Sequence, residues 1–434
     1  MMSRIFASSV LLLALLIAVS QGQTTPKTKT PPKTKAGKKG AAGAVGDWPT
    51  WRGAQRDGLS QETGLMKEWP EAGPKLLWKA QGLGDGYTTP SVVGNLIFSM
   101  GNKDGKEFVM ALDKTAEGKI VWETPLGAVR NGGGGYPGPR STPTVDGKFV
   151  YTLGLNGDLA CLEAATGKGV WKHDLVGEYG GKVPNWGYSE SVLIDGPLVL
   201  CTPGGDKATI AAFQKTTGKP AWAAPVKDTP GYSSLVPTEI NGVKQYVQFT
   251  SSGVVAVSAK DGSPLWNYKN PANGTANIST PIVSGNMVFA ASGYGTGGGL
   301  AEIGKAGVRE VYFTKDMKNH HGGVLLIGDC VYGSNDPGLL VCLDFKSGTV
   351  KWSDREPGKC SLAYAEGLLY CRGENGPVTL VEATPEGYKK KGRFDQPHRS
   401  GNPAWPHPVI SGGKLYLRDQ DVLLCYDISS PGAE

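Results

Sequence analysis

Residues Ser141–Trp171 read STPTVDGKFVYTLGLNGDLACLEAATGKGVW. Runs rich in β-branched and aromatic residues (STPTV, KFVYTLG, LACLEA) are separated by Asp146-Gly147, Asn156-Gly157 and Thr166-Gly167-Lys168. Asp-Gly and Asn-Gly between such runs mark hairpins, because both central positions of the turn take positive φ, which Gly, Asn and Asp tolerate. Three such turns predict four short antiparallel strands, the last carrying Trp171.

The unit recurs. Thr89–Trp122, Ser191–Trp222, Val236–Trp266, Ser279–Tyr312, Gly322–Trp352 and Ser361–Phe394 each end on an aromatic after a Gly-containing turn, and from Trp78 to Phe394 these aromatics stand 40 to 51 residues apart. A period near forty-five residues with four strands per unit is the pattern of propeller blades. His407–Ile428 supplies only three strands, while Lys75–Ala80 (KLLWKA) is an unattached fourth strand carrying Trp78. Joining the two predicts an all-β, eight-bladed β-propeller of four-stranded antiparallel blades, closed by an N-terminal strand and left with no open edge. Seven blades is the alternative, if the weak unit ending at Phe394 merges with a neighbour. One large aromatic per outer strand reads as the filler of the wedge between blades.

The chain before the repeats differs in kind. In 1–23, Arg4 precedes the apolar run Val10–Val19, and Ala18-Val19-Ser20 offers small residues for cleavage, the pattern of a signal peptide. Residues 24–46 form a Thr/Pro/Lys-rich linker too poor in apolar side chains to offset its ordering entropy, and 47–434 form the propeller body. The net charge of +6 belongs to the first part. Residues 1–46 hold seven of the 45 basic residues and no acid, which leaves the body 38 bases against 39 acids. A near-neutral body argues against specific nucleic-acid binding, while the Lys-rich linker suits electrostatic contact with an anionic surface. The expected location is the periplasm or the medium, and the expected state a monomer.

The turn Glu163-Ala164-Ala165-Thr166-Gly167 followed by the GxxxW ending resembles the pyrroloquinoline-quinone-like (PQQ-like) repeat, shared by quinoprotein dehydrogenases and BamB-type outer-membrane assembly lipoproteins. Asp47–Gly58 (DWPTWRGAQRDG), Asn319–Gly328 (NHHGGVLLIG) and Lys414–Asp427 (KLYLRDQDVLLCYD) are similar to envelope proteins, frequent in planctomycete-type bacteria, called PQQ-binding-like β-propeller proteins. The resemblance covers essentially all of 47–434. It implies the fold, and leaves activity open.

Propellers bind ligands at the mouth of the central channel, where the loops leading into the innermost strands converge, and loops on a rigid scaffold are where binding residues concentrate. Those loops carry Tyr87, the Gly-rich run Asn131–Gly135 with Tyr136 and Arg140, Trp186, Tyr188 and Glu190 within Asn185–Glu190, Tyr232, His320, His321, Trp405 and His407. The candidate ligand set is Tyr87, Arg140, Trp186, Tyr188, Glu190, His320, His321, Trp405 and His407. In an extended segment His320 and His321 would point to opposite sides, so one of them is expected to face away from the axis. His407, Glu190 and one of that pair would have acceptable chemistry for a metal. Cys161, Cys342 and Cys425 share one repeat position with Ala111, Ala212 and Ala256, which marks a small buried residue. Cys360 and Cys371 flank one hairpin, where a cross-strand disulfide is an open alternative to two free thiols.

Three functions fit. The first is a non-catalytic binding or scaffolding module of the cell envelope, with a protein or polysaccharide partner. The resemblance to quinoproteins implies a second, a PQQ-dependent oxidoreductase with PQQ and calcium on the axis, for which Trp186 or Trp405 would stack on the quinone and Glu190 bind the cation. Those dehydrogenases often carry adjacent cysteines, which this chain lacks. The third is a polysaccharide hydrolase or lyase using Glu190 with a second rim carboxylate.

Overall fold

The computed structural model describes residues 46–130 and 135–432, so the signal-peptide reading, the linker up to 45 and most of the Gly-rich run lie outside the described residues. Among the described residues no helix is long and apolar enough to cross a membrane.

Eight four-stranded antiparallel blades form the ring. Blade 1 spans 91–128, blade 2 144–174, blade 3 193–224, blade 4 236–268, blade 5 282–314, blade 6 319–354 and blade 7 360–395. Blade 8 takes three strands from 409–427 and its outer strand from Lys75–Ala80, with Trp78 opposite Cys425. The weak unit ending at Phe394 is a complete blade, to which Leu59–Ser60 adds a short parallel strand beside Tyr364-Ala365. The innermost strands are shorter than the sequence suggests: STPTV is strand only from Thr144. Pro143 has no N–H to give a ladder. The Thr142 N–H goes instead to Ser191 Oγ of the next repeat (2.8 Å), so these residues tie neighbouring blades together.

The core is divided among the blade interfaces. Phe98, Met100 and Ala111 of blade 1 pack on Val145, Val150 and Leu162 of blade 2, and comparable clusters recur around the ring. The closing aromatics sit at these interfaces. The Trp122 Nε1–H donates to Ala164 O (3.0 Å) and Trp171 Nε1–H to Lys215 O (2.9 Å), each reaching the next blade. Opposite each closing Trp in the ladder lies the small repeat residue: Ala111 faces Trp122, Cys161 faces Trp171, Ala212 faces Trp222, Ala256 faces Trp266 and Cys342 faces Trp352, whereas Tyr312 and Phe394 face Leu300 and Val378. The core-thiol reading of Cys161, Cys342 and Cys425 thus has a concrete cause. All seven cysteines, Cys360 and Cys371 included, are buried free thiols, with Leu362 and not Cys360 directly opposite Cys371.

The segment 46–60 crosses the ring axis and touches the innermost part of every blade. Trp48 exchanges backbone hydrogen bonds with Val92 of blade 1, and Pro49 O accepts from Val145 of blade 2 (2.8 Å). Arg56 donates to Ser191 O and Val192 O at blade 3 (2.8 and 3.1 Å) and to Leu235 O at blade 4 (3.1 Å). Trp51 Nε1–H reaches Thr280 Oγ1 at blade 5 (3.2 Å), and Arg52 reaches Val324 O of blade 6. Gly58 O accepts from Tyr364 of blade 7, and Gly46 O from Ser411 of blade 8. This plug closes the channel that the eight innermost strands would otherwise leave.

Candidate ligand-binding cup

Above the plug, at the end of the ring where the innermost strands begin, lies a cup of about 270 Å³. Trp51 and Arg52 of the plug form its floor, and its wall is supplied blade by blade. Tyr87 and Thr89 come from the approach to blade 1, Tyr136 and Arg140 to blade 2, Trp186 and Ser189 to blade 3, and Tyr232 and Ser234 to blade 4. Ser279, Thr280 and Tyr294 belong to blade 5, His320 and His321 to blade 6, Lys359 and Glu374 to blade 7, and Trp405 and His407 to the approach to blade 8.

Seven of the nine sequence candidates meet here: Tyr87, Arg140, Trp186, His320, His321, Trp405 and His407. Tyr188 and Glu190 do not. The Tyr188 ring is buried against Gly157 and its hydroxyl donates to Pro203 O (2.7 Å). Glu190 is buried outside the cup and accepts from Thr202 N–H (2.6 Å), Thr202 Oγ1 (3.1 Å) and Gln248 Nε2 (3.0 Å). Burial pushes its carboxyl up to about 7, against the pull of the Thr202 bonds and of Arg56. It ties blades 3 and 4 together, and is withdrawn as a metal ligand or a catalytic acid.

The expectation for the histidine pair is overturned as well. The ladder slips between Asn319 and Val324, so strict alternation fails there and both rings line the cup. They stack on each other at 3.8 Å, and His321 stacks on Trp405 at 4.2 Å. Tyr87 and Tyr136 approach Trp405 at 4.8 and 4.7 Å, and Tyr294 meets His320 edge-on at 4.5 Å. The wall from blade 5 round to blade 2 is therefore a continuous aromatic arc. Lys359 Nζ lies 2.7 Å from His320 Nδ1, with Asp336 Oδ2 at 3.5 Å from the same nitrogen. Burial holds His321 well below the ordinary imidazole range, helped by His320, Lys359 and Arg140. His407 lies at 4.6 Å from the Trp51 ring, and burial with Arg52 nearby brings it down to about 4.

The cup's charges are unevenly paired. Lys359 stands between Asp336 (3.3 Å) and Glu374 (3.8 Å), and Glu374 also accepts the Trp405 Nε1–H (2.6 Å). Arg140 donates to Gly138 O (2.9 Å) and Tyr136 O (2.7 Å) and lies 5.4 Å from the Tyr87 ring centre. Among the described residues no cluster of three or more His, Cys, Asp or Glu side chains is arranged to hold a metal ion.

Sequence reasoning missed the floor. Asp47–Gly58 stood out only as a stretch of resemblance, although two Trp and two Arg between Gly-rich flanks ahead of the first blade are unusual for a mere leader. Lys359, Glu374 and Tyr294 carry no local signal; they reach the cup because hairpin turns and loops of blades 5 to 7 end beside it.

The chain resembles known proteins over most of its length. Residues 105–354, more than half of it, match the sequence model of a family described as outer membrane protein assembly factor BamB. Tetrathionate hydrolase of Acidithiobacillus ferrooxidans is 23% identical over 63% of this chain and 54% of its own length. BamB of Burkholderia pseudomallei is 28% identical over 54% of this chain and 58% of its own, and that of Yersinia pestis 23% over 69% and 76%. The chain thus spans little more than half the length of the first two. Among solved structures, BamB of Moraxella catarrhalis superposes with a TM-score of 0.57 at 15% identity, covering 83% of this chain and 99% of that one. Quinohemoprotein alcohol dehydrogenase of Comamonas testosteroni reaches 0.64 at 12%, covering 91% and 82%. At these identities the two structures attest the fold. With blades, closing aromatics and turn glycines all in place, the chain belongs to the PQQ-like repeat family of β-propellers that the BamB model describes.

Proposed function

We propose that this protein is an exported cell-envelope β-propeller that works as a non-catalytic binding module, with the cup as its ligand site. The observation that carries the reading is the convergence of aromatic and cationic side chains from the ring on one blind cup with a side-chain floor. Concave, largely apolar sites with a few placed polar groups are where small ligands bind. The signal-peptide pattern of 1–23 supports a periplasmic or secreted location, and the Lys-rich linker supports a second, salt-sensitive contact with anionic envelope material. The partner is an envelope protein or polysaccharide.

Calcium and PQQ were the alternative occupants. Calcium takes six to eight oxygen ligands. Here Glu190 is spent outside the cup, and Glu374, the only carboxylate among the described lining residues, is engaged by Trp405 and Lys359. Trp405 is already stacked by His321, while Trp186 keeps a face toward the cup. With no free carboxylate in the described lining, the residues do not fit the calcium that such a quinone would use.

The test is to purify the protein from its native host, record its absorbance and calcium content, and measure its binding to purified envelope. The expected result is envelope binding that Trp186→Ala weakens, with an unchanged melting temperature. A quinone absorbance with stoichiometric calcium would overturn the proposal.

A further inference from the structure

Two guanidinium groups in the cup make no close ion pair, and feel an acid only at longer range, Glu107 for Arg140 and Asp57 for Arg52. Arg140 in the wall and Arg52 in the floor form no ion pair among the described residues, unlike Lys359 beside them. Arg52 is only 4% exposed, and its Nε–H has no hydrogen-bond partner although its other bonds are made to backbone carbonyls. That Nε–H is sealed beside Gly58, so Arg52 acts on the cup through its charge and not through a bond from that atom. The cup thus carries positive charge that the fold leaves unpaired, and a planar guanidinium fork matches a carboxylate.

The rest of the lining narrows the class. Beside Arg140, Trp186 and Tyr232 lie 5.8 Å apart at 59°. Neither joins the aromatic arc that occupies Trp405, so they present flat apolar surface to the cup. Tyr136 and Tyr294 are among the few large exposed hydrophobic side chains of the described residues, and both stand in the lining. The hydroxyls of Thr89, Ser234 and Thr280 line the same space. Each accepts one hydrogen bond from the protein, from His407 N–H, Ser191 N–H and Trp51 Nε1–H, which leaves its O–H to donate to a polyol.

Flat apolar faces, hydroxyl donors and an unpaired guanidinium describe one ligand chemistry. We infer that the cup takes an acidic sugar, a pyranose ring carrying a carboxylate, with Arg140 receiving the carboxylate and Trp186 and Tyr232 the ring. This rests on the cup being the binding site. Arg52 adds its field from below, and the pairing of Lys359 by Asp336 and Glu374 leaves the Arg140 side of the cup the more positive one.

The experiment is a titration of the full chain with digalacturonate and with the uncharged galactobiose, followed by Trp fluorescence. Digalacturonate is expected to bind about tenfold or more tightly than galactobiose, as for a charge-assisted contact. Its affinity should fall as salt is raised. Arg140→Gln should bring digalacturonate down to the galactobiose level, and Arg140→Lys should recover part of the difference, with melting temperatures showing that both variants fold. Equal affinity for the two sugars, or an Arg140→Gln variant that binds digalacturonate as the parent does, overturns the inference. Binding of 3-phenylpropionate with no binding of digalacturonate also overturns it, while leaving the cup as the ligand site. Envelope attachment that survives Trp186→Ala undiminished sinks the broader reading instead.

Discussion

Gly167 and Gly147 both sit in blade 2 turns at positive φ, +71° and +58°, yet a methyl group would meet different surroundings at each. At Gly147 nothing lies within 4 Å, whereas at Gly167 a Cβ would stand 2.4 Å from the Trp122 ring of the preceding blade. The same meeting of turn glycine and aromatic occurs at Gly218 with Trp171 and at Gly348 with Tyr312. Gly147→Ala should therefore cost about 1 kcal/mol from the backbone alone, and Gly167→Ala about 2–4 kcal/mol because the ring must also shift. Equal losses in denaturant unfolding would refute this account of the Thr-Gly-Lys turn. Trp171→Ala should cost about 3 kcal/mol, being a large aromatic only partly buried. His407 gives the acid limb of stability. Its folded value of about 4 lies below the unfolded value of about 6.5, so its contribution is whole above pH 6.5 and lost as pH falls to 4. Arg52, Arg372 and the His321 and Leu362 carbonyls face it, and a conversion of about 1.4 kcal/mol per unit makes the loss roughly 3 kcal/mol. His407→Gln should flatten the fall in unfolding free energy between pH 6.5 and 4, though not abolish it, since His321 shifts in the same direction. Residue roles were legible where the repeat constrains them, as at Cys161. They were not at Tyr188 and Glu190, because which way a loop side chain turns is decided by partners such as Pro203 and Thr202 from another part of the blade.

At the scale of elements, strands two to four of each blade follow from alternation and turn chemistry, and their order in the sheets is as the sequence predicts. The plug was not readable as an element. Segment 47–58 has no period of two or of 3.6, and its shape is set by bonds to blades that follow it by up to some 300 residues. Arg56 shows the dependence, since one guanidinium joins Thr50, Ser191, Val192 and Leu235. Bonds to a charged donor are each worth roughly 1.5–3 kcal/mol, and the carbonyls left behind stay buried. Arg56→Ala should accordingly lower unfolding free energy by about 3 kcal/mol or more. If the loss stayed under 1 kcal/mol, the plug would be a passenger rather than a part of the folded ring. The slip in the ladder at Asn319–Val324 was hidden for the same reason: Asn319 Nδ2 is held by Ser334 O and Gly323 O, a local detour no alternation rule foresees.

On the scale of the whole molecule, eight blades and their closure by Lys75–Ala80 were legible because a missing strand at one end and a spare strand at the other have only one economical solution. A chain beginning at Gly82 should lose Trp78, expose the edge of the Val422–Asp427 strand and aggregate, whereas one beginning at Gly46 should keep the parent's solubility and melting temperature. Equal behaviour of the two in size-exclusion chromatography would refute the closure. The route of the plug also has a mechanical meaning. Gly46 and Asp47 are fastened at the hairpin turns of blades 8 and 1, through Ser411 and Gly94, at the end of the ring away from the cup. Tension applied to the chain ahead of Gly46 would thus fall first on Gly46–Ser411, then on Asp47–Gly94 and the Trp48–Val92 pair, peeling the bonds one at a time and not shearing a sheet. Every blade would still hold its four strands when Trp51 and Arg52 were drawn from beneath the ligand. A pull at that end is a way to empty the cup without unfolding the ring.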